Sequence, residues 1–122
     1  MTTTHAQRKA LGDFGERLAA RHLVERGLVI VDRNWRCRDG EIDIVARDGD
    51  VLVICEVKTR TSIRYGTPFE AITADKAARL SRLGYSWLRA HQISCARVRV
   101  DVISIVRPFR GAATVEHVEG LG

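Results

Sequence analysis

Residues 40–60 read GEIDIVARDGDVLVICEVKTR, two strand-like runs joined through an Asp-Gly step. Such a step between β-prone runs favours a tight turn with positive backbone dihedrals, so the stretch predicts a hairpin with strands over 41–47 and 51–59. The hairpin constrains the fold more than any other feature, because a sheet has to grow around it. With a two-residue loop at Asp48 and Gly49, Val45 faces Leu52, Asp43 faces Ile54 and Glu41 faces Glu56. The period of two then puts Glu41, Asp43, Glu56 and Lys58 on one side, and Ile42, Ile44, Val53, Cys55 and Val57 on the other. A three-residue loop would separate Asp43 from Glu56, so the shared face depends on an even loop.

The rest of the chain supplies helices and further strands. Residues 6–26 carry Leu11, Phe14, Leu18 and Leu23 near helical spacing, and Gly27 stands where a helix stops. A short strand follows over 28–34, then a polar, arginine-rich connection. Thr73 is placed to cap a second helix over 74–91, with Ala77, Leu80, Leu83, Trp87 and Leu88 as its apolar face. RVRVDVISIV, at 97–106, alternates as a strand that Pro108 ends, and the tail from Thr114 adds a short edge strand or frays. At 122 residues and 45% apolar content the chain predicts one α/β domain over 1–122, with its core at about 6–107 and an unassigned C-terminal tail over 108–122.

The net charge of +5 suits a polyanionic partner, nucleic acid first, because phosphates attract such a surface without sequence preference. Seventeen of the twenty cationic residues are arginine, which suits bidentate phosphate contact but also follows from arginine-rich codon usage. The N-terminus lacks the apolar stretch of a signal peptide, and the runs LVIV and VLVIC are too short to cross a bilayer, so a soluble, cytoplasmic protein without membrane contact is expected. Cys37, Cys55 and Cys95 are odd in number and lack a CxxC pair, and are read as reduced thiols. His5, His22, His91 and His117 show no ligand spacing, and no glycine-rich phosphate loop occurs. Tyr65, Phe69 and Tyr85 could stack on bases. Trp87 belongs to an apolar face, whereas Trp35, between Arg33, Arg36 and Arg38, could contact exposed bases. Asp101 is expected to pair with an arginine.

Carboxylates gathered on one face repel each other and are expensive to desolvate unpaired. A divalent cation would resolve this, and hard oxygen donors suit magnesium or manganese. Lys58 could then orient or deprotonate a water and neutralise charge developing on phosphorus. The plain alternative is a solvent-facing strand pair with ordinary Glu-Lys contacts. Glu16, in GDFGERLAA, has Gly12, Gly15, Ala19 and Ala20 around it on the helix surface. Mid-helix glycines cost about 1 kcal/mol each against alanine, so a close helix–sheet approach that carries Glu16 towards the carboxylates would explain them. An exposed glutamate on a flexible helix start is the other reading. Glu41 is expected to pair with an arginine.

GDFGERLAARHL, GEIDIVARDGDVLVICEVKTR, YGTPFEAITADKAARL and RVDVI together resemble the small bacterial YraN-type family, placed in the PD-(D/E)XK nuclease superfamily and likened to archaeal Holliday junction resolvases. The match runs from about residue 11 to 105. It implies an α/β, restriction-endonuclease-like core, a mixed sheet of four to five strands flanked by helices. It also implies a magnesium- or manganese-dependent endonuclease acting on DNA, including branched or structured DNA. In that resemblance Asp43 and Glu56 are the acidic metal ligands, Glu16 supports metal or water, Val57 completes the metal contacts, and Lys58 is the superfamily lysine. Lys76 matches a helix position near the scissile phosphate. Ile42 stands before Asp43 where many relatives in the superfamily have proline, as is usual for this branch. Resolvases act as dimers, so a symmetric homodimer is expected by analogy. The alternative is a nucleic-acid-binding or adaptor module without turnover, betrayed by salt-sensitive binding that ignores metal removal.

Overall fold

A computed structural model describes residues 4–62 and 72–121. Helix α1, His5–Glu25, begins at a reciprocal cap: Thr4 Oγ1 accepts the Gln7 N–H at 3.1 Å, and the Gln7 side chain accepts the Thr4 N–H at 2.8 Å. Two of the helix's unpaired N-terminal donors are satisfied this way. Strands β1 (Val29–Cys37), β2 (Gly40–Asp48) and β3 (Val51–Arg60) follow, then α2 (Ala74–His91), β4 (Arg97–Val106) and β5 (Thr114–Val118). The five strands form one sheet in sequence order, antiparallel throughout except for the parallel pair β3–β4, which α2 connects. The chain forms the helix-flanked mixed sheet expected from the sequence, with five strands, the upper end of the four to five expected. The tail supplies the fifth strand, paired to β4 from Val102↔Val118 to Val106↔Thr114.

The helices cover opposite faces. Ala19, Ala20 and Leu23 of α1 pack with Ile44, Ala46, Val53, Cys55, Ile103 and Ile105; Leu80, Leu83 and Trp87 of α2 pack with Ile42, Val45, Leu52, Ile54 and Val100. Gly15 and Gly84 explain how closely the helices lie. A Cβ at Gly15 would collide with Thr59 of β3, and one at Gly84 would sit 2.8 Å from Ile54 and Val98 side-chain carbons. Gly12 is different: nothing stands within 4 Å of a Cβ there. Among the described residues no helix is long and apolar enough to cross a membrane.

Three details depart from the sequence expectations. The hairpin turn is Gly49–Asp50, with Asp48 paired to Val51, because glycine takes the first left-handed position, at φ 59°. The pairing thus moves by two residues and its parity is kept. Strand β1 runs on to Cys37 instead of ending near Asn34, because Trp35 and Cys37 turn in against the α2 layer while Arg36 stays exposed. The third concerns the acidic residues themselves. Ile42 lies in the α2 layer and Ile44 in the α1 layer, although residues two apart in a regular strand share a face. The alternation skips a step at Asp43, and opposite it Asn34 has φ 51°.

Candidate active site

This skipped step creates the site. Released from strict alternation, Asp43 turns under α1 and lines a cavity of about 830 Å³ with Glu16, Glu41, Asn34, Val57 and Thr59. The β2–β3 ladder ends at Ile44↔Cys55, and beyond it the Asp43 Oδ2 accepts the Val57 N–H at 2.9 Å. Side chain thus replaces backbone as the strands part. Glu56 alternates with Leu52 and Ile54 towards α2, not to the α1 side with Asp43. The expected single face is therefore a fork: Asp43, Glu41 and Glu16 on one branch, Glu56, Lys58 and Lys76 on the other.

The electrostatics differ between the branches. Burial pushes the Asp43 carboxyl up to about 6; the Val57 N–H opposes that, and the charges of Glu56, Glu16 and Glu41 add to it. Glu16 is likewise held above its ordinary value, by burial first and then by Asp13 and Glu41, with Arg33 and Lys9 offsetting part. Glu41 makes the arginine pair expected of it, 3.5 Å from Arg36 Nε. On the other branch Glu56 Oε1 lies 3.4 Å from Lys76 Nζ and 3.6 Å from Lys58 Nζ, with the carboxylate side chain only 14% exposed. Lys76 reaches it from the first turn of α2, which Thr73 caps by accepting the Lys76 N–H at 3.1 Å. All six residues singled out in the sequence, Glu16, Asp43, Glu56, Val57, Lys58 and Lys76, thus lie about one fork in the sheet.

Among the described residues no three His, Cys, Asp or Glu side chains stand together closely enough to hold a metal ion. Asp43 and Glu56 still suit magnesium or manganese chemically. Magnesium is ordinarily held by one or two carboxylates, with water and substrate phosphate completing its octahedron.

Other expectations resolve plainly. The three cysteines are free thiols. Trp87 is core, and its indole N–H donates to Asp32 Oδ2 at 2.8 Å. Trp35 packs on the α2 layer with its ring centre 6.1 Å from that of His91. Tyr65 and Phe69 lie outside the described residues. Asp101 does pair with an arginine, Arg99, at 2.9 Å.

Sequence reasoning missed two features. One is a groove of about 640 Å³ along α2 where Arg79, Arg82 and Arg89 line up beside Tyr85 and Ser86. Their i, i+3, i+10 spacing was legible as one helix stripe. None of the three arginines has a carboxylate partner among the described residues. The other is a half-buried chain, His22 Nε2 to His117 Nδ1 at 3.1 Å and His117 Nε2 to Asp101 Oδ2 at 2.8 Å, which joins residues 95 and 16 positions apart and leaves no local signal.

A five-stranded mixed sheet between two helices, forked at a cluster of carboxylates and lysines, defines the class of protein. Residues 15–105 match the model of the family described as "Uncharacterised protein family UPF0102". A "UPF0102 protein" of Nocardioides sp. is 57% identical over 117 residues, 96% of this chain and 94% of its own length. One from Kineococcus radiotolerans is 58% identical over 113 residues, 92% and 93% of the two chains. A third, from Frankia casuarinae, is 53% identical, covering 91% and 94%. The chain belongs to the UPF0102 family.

Proposed function

We propose that the chain is a cytoplasmic, metal-dependent endonuclease that hydrolyses phosphodiester bonds in DNA, with branched or structured DNA among its substrates. The observation that carries the reading is the Asp43 carboxyl, pushed up to about 6 in a cavity it shares with Glu16 and Glu41. A fold keeps such a costly arrangement where a cation relieves it, and perturbed groups in clefts mark functional sites. Asp43 and Glu56 would hold magnesium or manganese from the two branches of the fork, with Glu16 and Val57 beside them, the cation drawing Glu56 away from Lys58 and Lys76. When bound, the cation supplies charge neutralisation and polarisation at the phosphoryl group.

The chain's own groups do the rest. Lys58 lies next to Glu56 and is half-buried, which supports a role for its ammonium in orienting a water for in-line attack and steadying charge on phosphorus. Lys76 holds Glu56 from α2 and can transfer its charge to a phosphate oxygen. The exposed arginine stripe of α2, without a carboxylate partner among the described residues, supports nucleic acid as the polyanion. A four-way junction presents equivalent strands in pairs, which suits a symmetric dimer.

A second reading, a nucleic-acid-binding or adaptor module without turnover, draws on one observation: Glu56 is already neutralised by Lys58 and Lys76. The two readings separate when pure protein meets labelled single-stranded, duplex, flap and four-way-junction DNA with magnesium, manganese or chelator, beside Lys58→Ala. The nuclease reading expects cleavage that needs metal and disappears in the variant. Binding without cleavage in every condition favours the adaptor.

A further inference from the structure

Phe109 is 95% exposed, whereas the next most exposed large apolar side chain among the described residues, Val29, is at 61%. It stands on the connection from β4 to β5, and that connection is fixed at its start. The Arg107 N–H donates to the Arg60 carbonyl at 2.8 Å, and the Arg107 guanidinium lies over the Phe14 ring at 4.4 Å. Pro108 restricts the backbone between this anchor and Phe109. A fully exposed ring held two residues from a double anchor presents a face at a defined place.

That place adjoins the acidic cavity. Phe109, Pro108 and Arg107 rim a groove of about 390 Å³ whose remaining walls include Gln7, Leu11 and Thr61. The same three residues also line the cavity that holds Glu16 and Asp43. Arg110, next in the chain, is exposed and has no carboxylate partner among the described residues. An aromatic face with an exposed arginine beside it, opening into a carboxylate cavity, matches the parts that hold an unpaired base and its phosphate.

We infer that Phe109 stacks on an unpaired nucleobase next to the bond presented to Asp43 and Glu56, so that the substrate class is nucleic acid with unstacked bases rather than continuous duplex. The inference rests on the nuclease reading for the bond. The stacking itself does not need turnover.

The test uses full-length protein in chelator, with Phe109→Ala, Phe109→Leu and Phe109→Trp. Partners are a four-way junction, a flap, single-stranded DNA, single-stranded RNA and a continuous duplex, each carrying 2-aminopurine, at the unpaired position where there is one. Base–aromatic stacking predicts affinity lower by about five- to a hundred-fold for Ala and Leu on every partner with unpaired bases. Trp keeps the affinity and the fluorescence quench, and duplex binding changes less than two-fold. Because the ring is exposed, melting temperature stays unchanged, which separates stacking from misfolding. Equal losses on duplex and single-stranded DNA, no loss at all, or a change in oligomeric state in Phe109→Ala would overturn the assignment. RNA behaving like single-stranded DNA supports it and extends the polymer. Metal-dependent cleavage by wild type with no effect at Phe109 sinks the stacking and leaves the nuclease. Stacking without cleavage under any metal does the reverse.

Discussion

At pH 8 the Asp43 carboxyl carries a charge that its surroundings resist, since burial and three neighbouring glutamates raise it from 3.8 to about 6. For an acid raised in the fold, the stability it contributes is complete below the unfolded value and is lost as pH rises through the folded one. Between about pH 4 and pH 6 the metal-free protein should therefore lose stability, on the order of 2 kcal/mol from this group. Asp43→Asn removes the charge while keeping an oxygen for the Val57 N–H. At pH 8 without metal the variant is expected to melt several degrees above wild type and to lose metal-dependent cleavage entirely. A variant that melts lower, or still cleaves, would contradict this account. The same carboxylate would then be costly to the fold and necessary to the chemistry.

Two glycines of α1 make opposite forecasts although they are three residues apart. Gly15 faces Thr59 with no room for a Cβ, so Gly15→Ala should cost about 1–3 kcal/mol through overpacking and shift the helix that carries Glu16. Gly12 meets nothing within 4 Å, so Gly12→Ala should gain roughly 1 kcal/mol of helix propensity. Urea denaturation of both variants checks the pair. On α2, changing Arg79, Arg82 and Arg89 to glutamine should flatten the dependence of log affinity on log salt by about 2–3 for duplex DNA, roughly 0.9 for each phosphate no longer neutralised. An equal change at Arg21, Arg26 and Arg97, also exposed, serves as the control. Matching slopes in the two triple variants would mean overall charge and not the stripe. Much at this scale was legible in advance. Helical spacing gave both helices, the Asp-Gly step gave the hairpin, and the Glu-x-Lys triplet at Glu56 gave its lysine. The turn slipped by one residue because either Asp48 or Gly49 can open it from sequence, and only glycine's backbone freedom decides. The fork was not legible, because the skipped alternation at Asp43 depends on Asn34 in the neighbouring strand adopting a left-handed conformation. Phe109 carried no pattern at all; its exposure is a property of the assembled surface.

Across the whole molecule, one buried charge ties the tail to the rest. Asp101 of β4 is 0% exposed, and it accepts from Arg99 at 2.9 and 3.0 Å, from His117 of β5 at 2.8 Å and from the Gly120 N–H at 3.1 Å. Arg99 also reaches Asp48 at the end of β2, and His117 reaches His22 of α1. Ionised Asp101 can only accept, so His117 Nε2 bears a proton, and with His117 neutral its Nδ1 accepts from His22 Nε2–H. Burial works to raise Asp101, but the bonds from His117, Arg99 and Gly120 outweigh it and hold the carboxyl below its ordinary value. An acid lowered in the fold gives stability that is full above its unfolded pKa and is lost as pH falls through the folded one. His22 is lowered too, by burial first and then by His117 and Arg26, so the fold prefers it neutral and weakens as pH drops below 6.5. The two losses fall in separate windows, one starting below about pH 6.5 and one below about pH 4. Melting wild type from pH 8 to pH 3 should show both, superimposed on the opposite trend from Asp43, which Asp43→Asn removes from the background. In that background, His22→Gln should erase the upper loss and keep the lower. Asp101→Asn should lower stability at pH 7 by about 1–3 kcal/mol, because Arg99 keeps only the half-exposed Asp48 as a carboxylate partner and its bonds to position 101 lose their charge assistance, and should erase the lower loss. Hydrogen exchange of β5 amides reports whether the tail strand opens first. If stability is flat across both windows, or β5 stays protected in Asp101→Asn, the network is not what holds the fifth strand to the sheet.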